Sequence, residues 1–185
     1  MATLDWKKEL IDQIDFAWDY HFLERMKGLT DEEYLWEPVP DVWTVHSGDD
    51  GGGPTIDPQE HVIPAPFTTI AWRMHHMTDF FTKRWVNHFG DPESDAMDAP
   101  VTLSAEEAMA NLTFAYGRWK RALEQMPEER LGEPTGMAEG AFYADYPFAT
   151  LVLHISREFI HHSAECCLIR DLYRQRERVN VTHKG

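Results

Sequence analysis

Residues 151–173 read LVLHISREFIHHSAECCLIRDLY. The run contains no Gly or Pro, yet it carries three histidines and two glutamates among apolar residues. Its register explains part of this. Phe148, Val152, Ile155, Phe159, His162, Cys166, Ile169 and Tyr173 alternate in steps of four and three, the seam of a helix that faces partners in a bundle. His162 occupies a seam position. Glu158 lies one turn earlier at the edge of the same face, and side chains at i and i+4 on a helix converge.

Working outward, three more helical patterns flank this one. The first covers about residues 5–27, with Trp6, Leu10, Ile14 and Ala17 expected on its inner side and Gly28 as its stop. TDEE, residues 30–33, has capping-box spacing and begins a short helix that Pro38 ends. A Pro- and Gly-rich segment follows over 37–66, including SGDDGGGP. Unstructured stretches of this length are uncommon in compact domains. The second long helix is expected over 68–89, with Ile70, Met74, Met77, Phe81, Trp85 and His88 at helical spacing and Gly90 as its C-terminal cap. The third starts at Ser104 with a second capping box, SAEE, and ends near Met126. After a loop over 127–147, the fourth extends to about Arg178. No stretch alternates as a strand of useful length. The expectation is an all-α protein: one domain over residues 1–185, a four-helix bundle with a long irregular connection between helices one and two.

Composition sets limits on function. The chain of 185 residues has a formal charge of −15 and is 43% hydrophobic, enough to bury a core. The negative charge argues against sequence-independent nucleic-acid binding and against docking on anionic membrane. No apolar run reaches the roughly 18 residues of a bilayer span, and MATLDWKKEL lacks the apolar core of a signal peptide. The two cysteines, Cys166 and Cys167, are adjacent and cannot pair within a helix. A cytoplasmic location is expected.

The candidate chemistry centres on Glu158 and His162. A buried carboxylate is costly unless it is paired or metal-bound, and carboxylate–imidazole pairs on bundle helices build metal sites. A third ligand must come from another helix. The second offers His75 and His76, which flank its apolar stripe on opposite sides, and periodicity does not choose between them.

GLTDEEYLWEPVPDVWTV, TIAWRMHHM and HISREFIHHSAECCLIRDLY together resemble the DinB-like superfamily of metal-binding four-helix bundles, which includes mycothiol-dependent maleylpyruvate isomerase. The likeness spans nearly the whole chain in order. It implies one divalent metal held by a histidine of the second helix, matched here by His76, and by a Glu-x-x-x-His pair, matched by Glu158 and His162. It also implies an enzyme acting on a small molecule with a low-molecular-weight thiol such as mycothiol or bacillithiol, an S-transferase or isomerase. The alternatives are a non-catalytic metal-binding or stress-response bundle, or a metal-dependent hydrolase. Zinc is the expected metal, with nickel, iron or manganese as alternatives. No catalytic residue is assigned.

Around these ligands, Arg73 and Arg157 are candidates to hold a substrate carboxylate or to form ion pairs. His154 or His161 is a candidate hydrogen-bond partner for the site. Tyr143, Asp145 and Tyr146 could edge the pocket, and Trp43 could cover it or anchor its loop. GDDGGGP lacks the lysine of a phosphate-binding loop, and Cys166 reads as inert core. A second apolar line on the fourth helix, Leu153, Ile160 and Cys167, needs cover from the bundle or from a homodimer partner.

Overall fold

The computed structural model describes residues 4–48, 51–58, 62–93 and 95–182, with side chains up to residue 176. Helix α1 covers 6–26 as one continuous rod: an α-helical segment Trp6–Phe16, a π-helical stretch Ala17–Leu23 and a last turn Glu24–Met26. Asp5 caps it, its carboxylate accepting the Lys8 amide at 2.9 Å. Its inner face differs from expectation at the start. Trp6 is 60% exposed, and Ile11, Ile14, Trp18, Phe22 and Met26 are the buried line. The first turn lies against the end of the third long helix and the turn after it: the Trp6 amide meets Glu128, and Lys7 donates to the Glu124 and Met126 carbonyls. Gly28, at φ 64°, turns the chain in the left-handed region that suits glycine.

The capping box at Thr30 forms in both directions and opens the short helix α2, Asp31–Tyr34. The connection to the next long helix is less irregular than its composition implies. β1, Val45–His46, pairs antiparallel with β2, Thr55–Ile56. Trp43 then ties the loop to the start of the bundle, donating its amide to Phe67 and accepting the Thr69 amide at 3.0 Å. Asp49 and Asp50 of the acidic glycine-rich stretch lie outside the described residues.

Thr69 caps α3, Ile70–Phe89, and the Gly90 amide closes it on Trp85 and Val86. Ser104 caps α4, Ala105–Gln125. Only half of the expected second box forms there: Ser104 accepts the Glu107 amide at 3.4 Å, while the Glu107 carboxylate takes the Thr102 hydroxyl instead. Helix α5, Phe148–Thr182, continues past the expected end. Between α4 and α5 lie two 3-10 turns, Glu128–Gly132 and Met137–Glu139.

The four long helices make the expected bundle around the α5 seam. Every seam residue from Phe148 to Ile169 is buried. At its centre Phe159 touches a ring from each of the other helices: Trp18 and Phe22 of α1, Phe81 of α3 and Tyr116 of α4. On the second apolar line of α5 the outcome divides. Cys167 is covered by α1, its thiol against the His21 carbonyl, whereas Leu153 and Ile160 face outward. No helix among the described residues is long and apolar enough to cross a membrane.

A charged cluster is buried where α2 meets α5. Glu33, drawn inward by its capping box, accepts Arg170 at 2.8 Å and Arg174 at 3.0 Å. Arg170 is 2% exposed and also reaches the Arg25 carbonyl at the end of α1. The cluster therefore joins three helices.

Candidate metal centre

One turn beyond Phe159 the seam changes from aromatic to polar. His162 is 7% exposed, walled by apolar residues on the core side and by α3 on the other. Helix α3 brings His76 across the interface, and the two imidazole rings meet edge to face with centroids 4.8 Å apart. Glu158 reaches forward along α5, its Oε2 3.4 Å from His162 Nε2. Nitrogen and oxygen atoms of His76, Glu158 and His162 all lie within 4.8 Å of one another. A tetrahedral ion with bonds of about 2.1 Å sets its donors about 3.4 Å apart, so this group fits a divalent cation of zinc's size. The three residues the sequence singled out are brought together.

His76 rather than His75 faces the group. His76 stacks on Trp72 at 5.2 Å, and Trp72 in turn meets Trp43 of the connection. His75 turns the other way, toward the Pro100 backbone and Asp79. Burial holds it below the ordinary imidazole value, against the pull of Asp79. Which of the two imidazoles faces Glu158 and His162 is decided by the side of α3 that meets α5.

The orienting partner of His162 is a residue that sequence reasoning passed over. Glu165 Oε2 lies 2.9 Å from His162 Nδ1, and Arg73 donates to the same oxygen at 3.1 Å. Arg73 also sits 3.0 Å from Nδ1. A ring that holds a cation through Nε2 carries its proton on Nδ1 and donates it to Glu165, with Arg73 donating to the same carboxylate. Nε2 is then the lone-pair nitrogen, and it is the one facing Glu158. Burial alone would raise the Glu165 carboxyl; the His162 hydrogen bond, Arg73 and His161 outweigh it and hold it below the usual range. The i, i+3 spacing of His162 and Glu165 was the available signal.

The remaining candidates divide. His161 stands 3.3 Å from the far oxygen of Glu165, and His154 accepts an Arg157 N–H at 2.9 Å, so neither is the partner of His162. Arg73 forms the ion pair that was the plainer expectation. Trp43 both anchors its loop and lines the cavity over His76, Glu158 and His162, a space of about 400 Å3. Tyr143 and Tyr146 border a neighbouring cavity instead. Cys166 is fully buried and burial pushes its thiol far above the ordinary range, which removes it as a nucleophile.

Residues 50–166 match the family model of the DinB superfamily. The chain belongs to that superfamily. The matched segment contains His76, Glu158, His162 and the orienting Glu165, and it covers α3 and α4 and the part of α5 that builds the site. No significant match is found among curated proteins or among solved structures. For this DinB protein the site is therefore argued from its own atoms. They form a donor set of two imidazoles and one carboxylate on one side, with a cavity on the other.

Proposed function

We propose that this DinB protein is a metal-dependent enzyme acting on a small molecule, with His76, Glu158 and His162 as the metal ligands and a low-molecular-weight thiol as co-substrate. The observation carrying the reading is that the three donors converge beside a cavity. Three protein ligands with room for another are the pattern of catalytic zinc sites, whereas structural sites are closed by a fourth protein ligand. Zinc is the preferred ion; nickel, iron and manganese accept the same donors.

Bound there, the ion would supply Lewis acidity, lowering the pKa of a coordinated water or thiol toward neutrality. The chain's own residues do the rest. Glu165 and Arg73 fix the His162 tautomer and ring plane, which presents Nε2 to the site. Trp72 fixes the plane of His76 by stacking. Trp43 and Trp72 form an apolar wall that displaces water from one side of the cavity. The thiol, and an S-transferase or isomerase reaction, follow the likeness to the thiol-dependent isomerase noted in the sequence.

Elemental analysis tests the ligand set. Protein purified without a His-tag should hold about one divalent ion per chain. His162→Ala and His76→Ala should lose it while keeping the circular dichroism of the fold. Absence of metal in the wild type after reconstitution with zinc, nickel, iron or manganese would overturn the reading. With the metal in place, turnover of an electrophile that depends on added thiol would separate the proposed chemistry from hydrolysis.

A further inference from the structure

Two cavities meet along α5. The one over the ligand group is lined in part by Arg157, Glu158 and His161; the other, about 230 Å3, is bordered by Arg84, Glu139, Tyr143, Tyr146, His154 and Arg157. Arg157 is the residue they share. Its guanidinium reaches back one turn and donates to His154 Nδ1 at 2.9 Å. No carboxylate among the described residues lies within ion-pair distance of it, and its place in the wall shared by two cavities sets it apart from other unpaired cations such as Arg121 and Arg176. The other charges around the second cavity cancel. Arg84 is paired with Glu139 at 2.8 Å, and Glu139 also meets His88 at 3.0 Å. Among the described residues the carboxylate between the cavities is Glu158, 3.6 Å from His154 and assigned to the proposed ligand group.

A lone, tethered guanidinium beside a donor group for a cation makes a local positive site on an acidic protein. A planar guanidinium is suited to gripping a carboxylate through two parallel hydrogen bonds. The rings of Tyr143 and Tyr146 give the second cavity an aromatic wall beyond it. We propose that Arg157 is the anion anchor of the substrate site: the two cavities accept one small molecule whose carboxylate binds Arg157 while its reacting end lies over His76, Glu158 and His162. The inference rests on the metal reading for the identity of the second anchor point. It adds the substrate class, an organic acid, and the residue that selects it.

The test uses full-length protein loaded with cobalt(II), whose visible absorption reports thiolate coordination, and two probes of equal shape, 3-mercaptopropionate and its neutral amide 3-mercaptopropionamide. The wild type should bind the acid at least tenfold more tightly than the amide. Arg157→Gln should erase that difference with cobalt content unchanged, and Arg157→Lys should keep part of it, since a lysine retains the charge without the fork. Arg157 lies on the exposed side of α5, so these variants keep the core intact. Equal binding of acid and amide by the wild type, no binding of the acid, or a preference that survives in Arg157→Gln would each overturn the anchor while leaving the metal site standing. Failure to hold cobalt at all would instead overturn the metal reading on which the anchor rests.

Discussion

Glu165 Oε2 lies 2.9 Å from Nδ1 of His162. The two residues are one turn apart on α5, so the helix itself sets a carboxylate behind its own histidine. A carboxylate behind a ligating imidazole orients the ring and raises its basicity.

Removing that carboxylate should weaken metal binding without removing a ligand. Glu165→Ala is expected to lower zinc affinity by about 10- to 100-fold, measured by competition against a chelator of known affinity. Glu165→Gln keeps an acceptor oxygen and should fall between. An unchanged affinity in both variants would remove Glu165 from the site.

Phe159 tests the bundle core independently of the metal. It is fully buried and meets rings of all three partner helices. Phe159→Ala should cost about 3–5 kcal/mol, read as a lower urea midpoint. Because the residue lies one turn from His162, metal content should be measured on the same sample.

The Glu33 cluster predicts acid sensitivity. Burial pushes the Glu33 carboxyl upward, but Arg170, the Thr30 amide and Arg174 outweigh it and leave it below its ordinary value. The folded chain therefore holds this proton less tightly than the unfolded one, whose carboxyl titrates near 4.3. The stabilisation is complete above that value and is lost as pH falls through the lower folded value. Glu33→Gln should be less stable than wild type at neutral pH, and the gap should narrow in acid. Parallel denaturant curves for the two proteins from pH 7 to pH 3, with a constant gap, would contradict this.

Glu139 should govern the order of the loop before α5. Its side chain is 8% exposed and is held by Arg84 and by a His88 side chain that is 3% exposed. Gly136 and Gly140, both with positive φ, bracket the turn that delivers it. Glu139→Ala would leave the buried His88 and the partly exposed Arg84 unmatched, at a cost of about 1–3 kcal/mol for an unsatisfied buried polar group. Limited proteolysis should then cut within residues 133–147 faster than in the wild type. An unchanged cleavage rate would mean the loop is held by other contacts.

Much of this arrangement was legible in the sequence because one helix carries so much of it. The strict seam of α5 placed Phe159, Glu158 and His162 before any packing was known. Other features depend on how helices meet. His75 and His76 flank the α3 stripe symmetrically, and only the docking of α5 on one flank separates them. Glu165 sits off the seam, and its role appears once Arg73 arrives from α3. Trp6 is exposed although it falls on the expected inner side of α1, because the buried line there runs through Ile11, Ile14 and Trp18. The Val45–His46 hairpin is two residues per strand, too short to show alternation.

His76 lies roughly 80 residues of chain before the Glu158–His162 pair, so an ion shared among them would close a loop of that length. An unfolded chain offers at best the pair on α5, without the third donor. Occupancy would thus favour the folded state by mass action, and chelation would withdraw that support. In a cell where metal supply varies, the abundance of this protein would follow the supply through its turnover as well as through its chemistry.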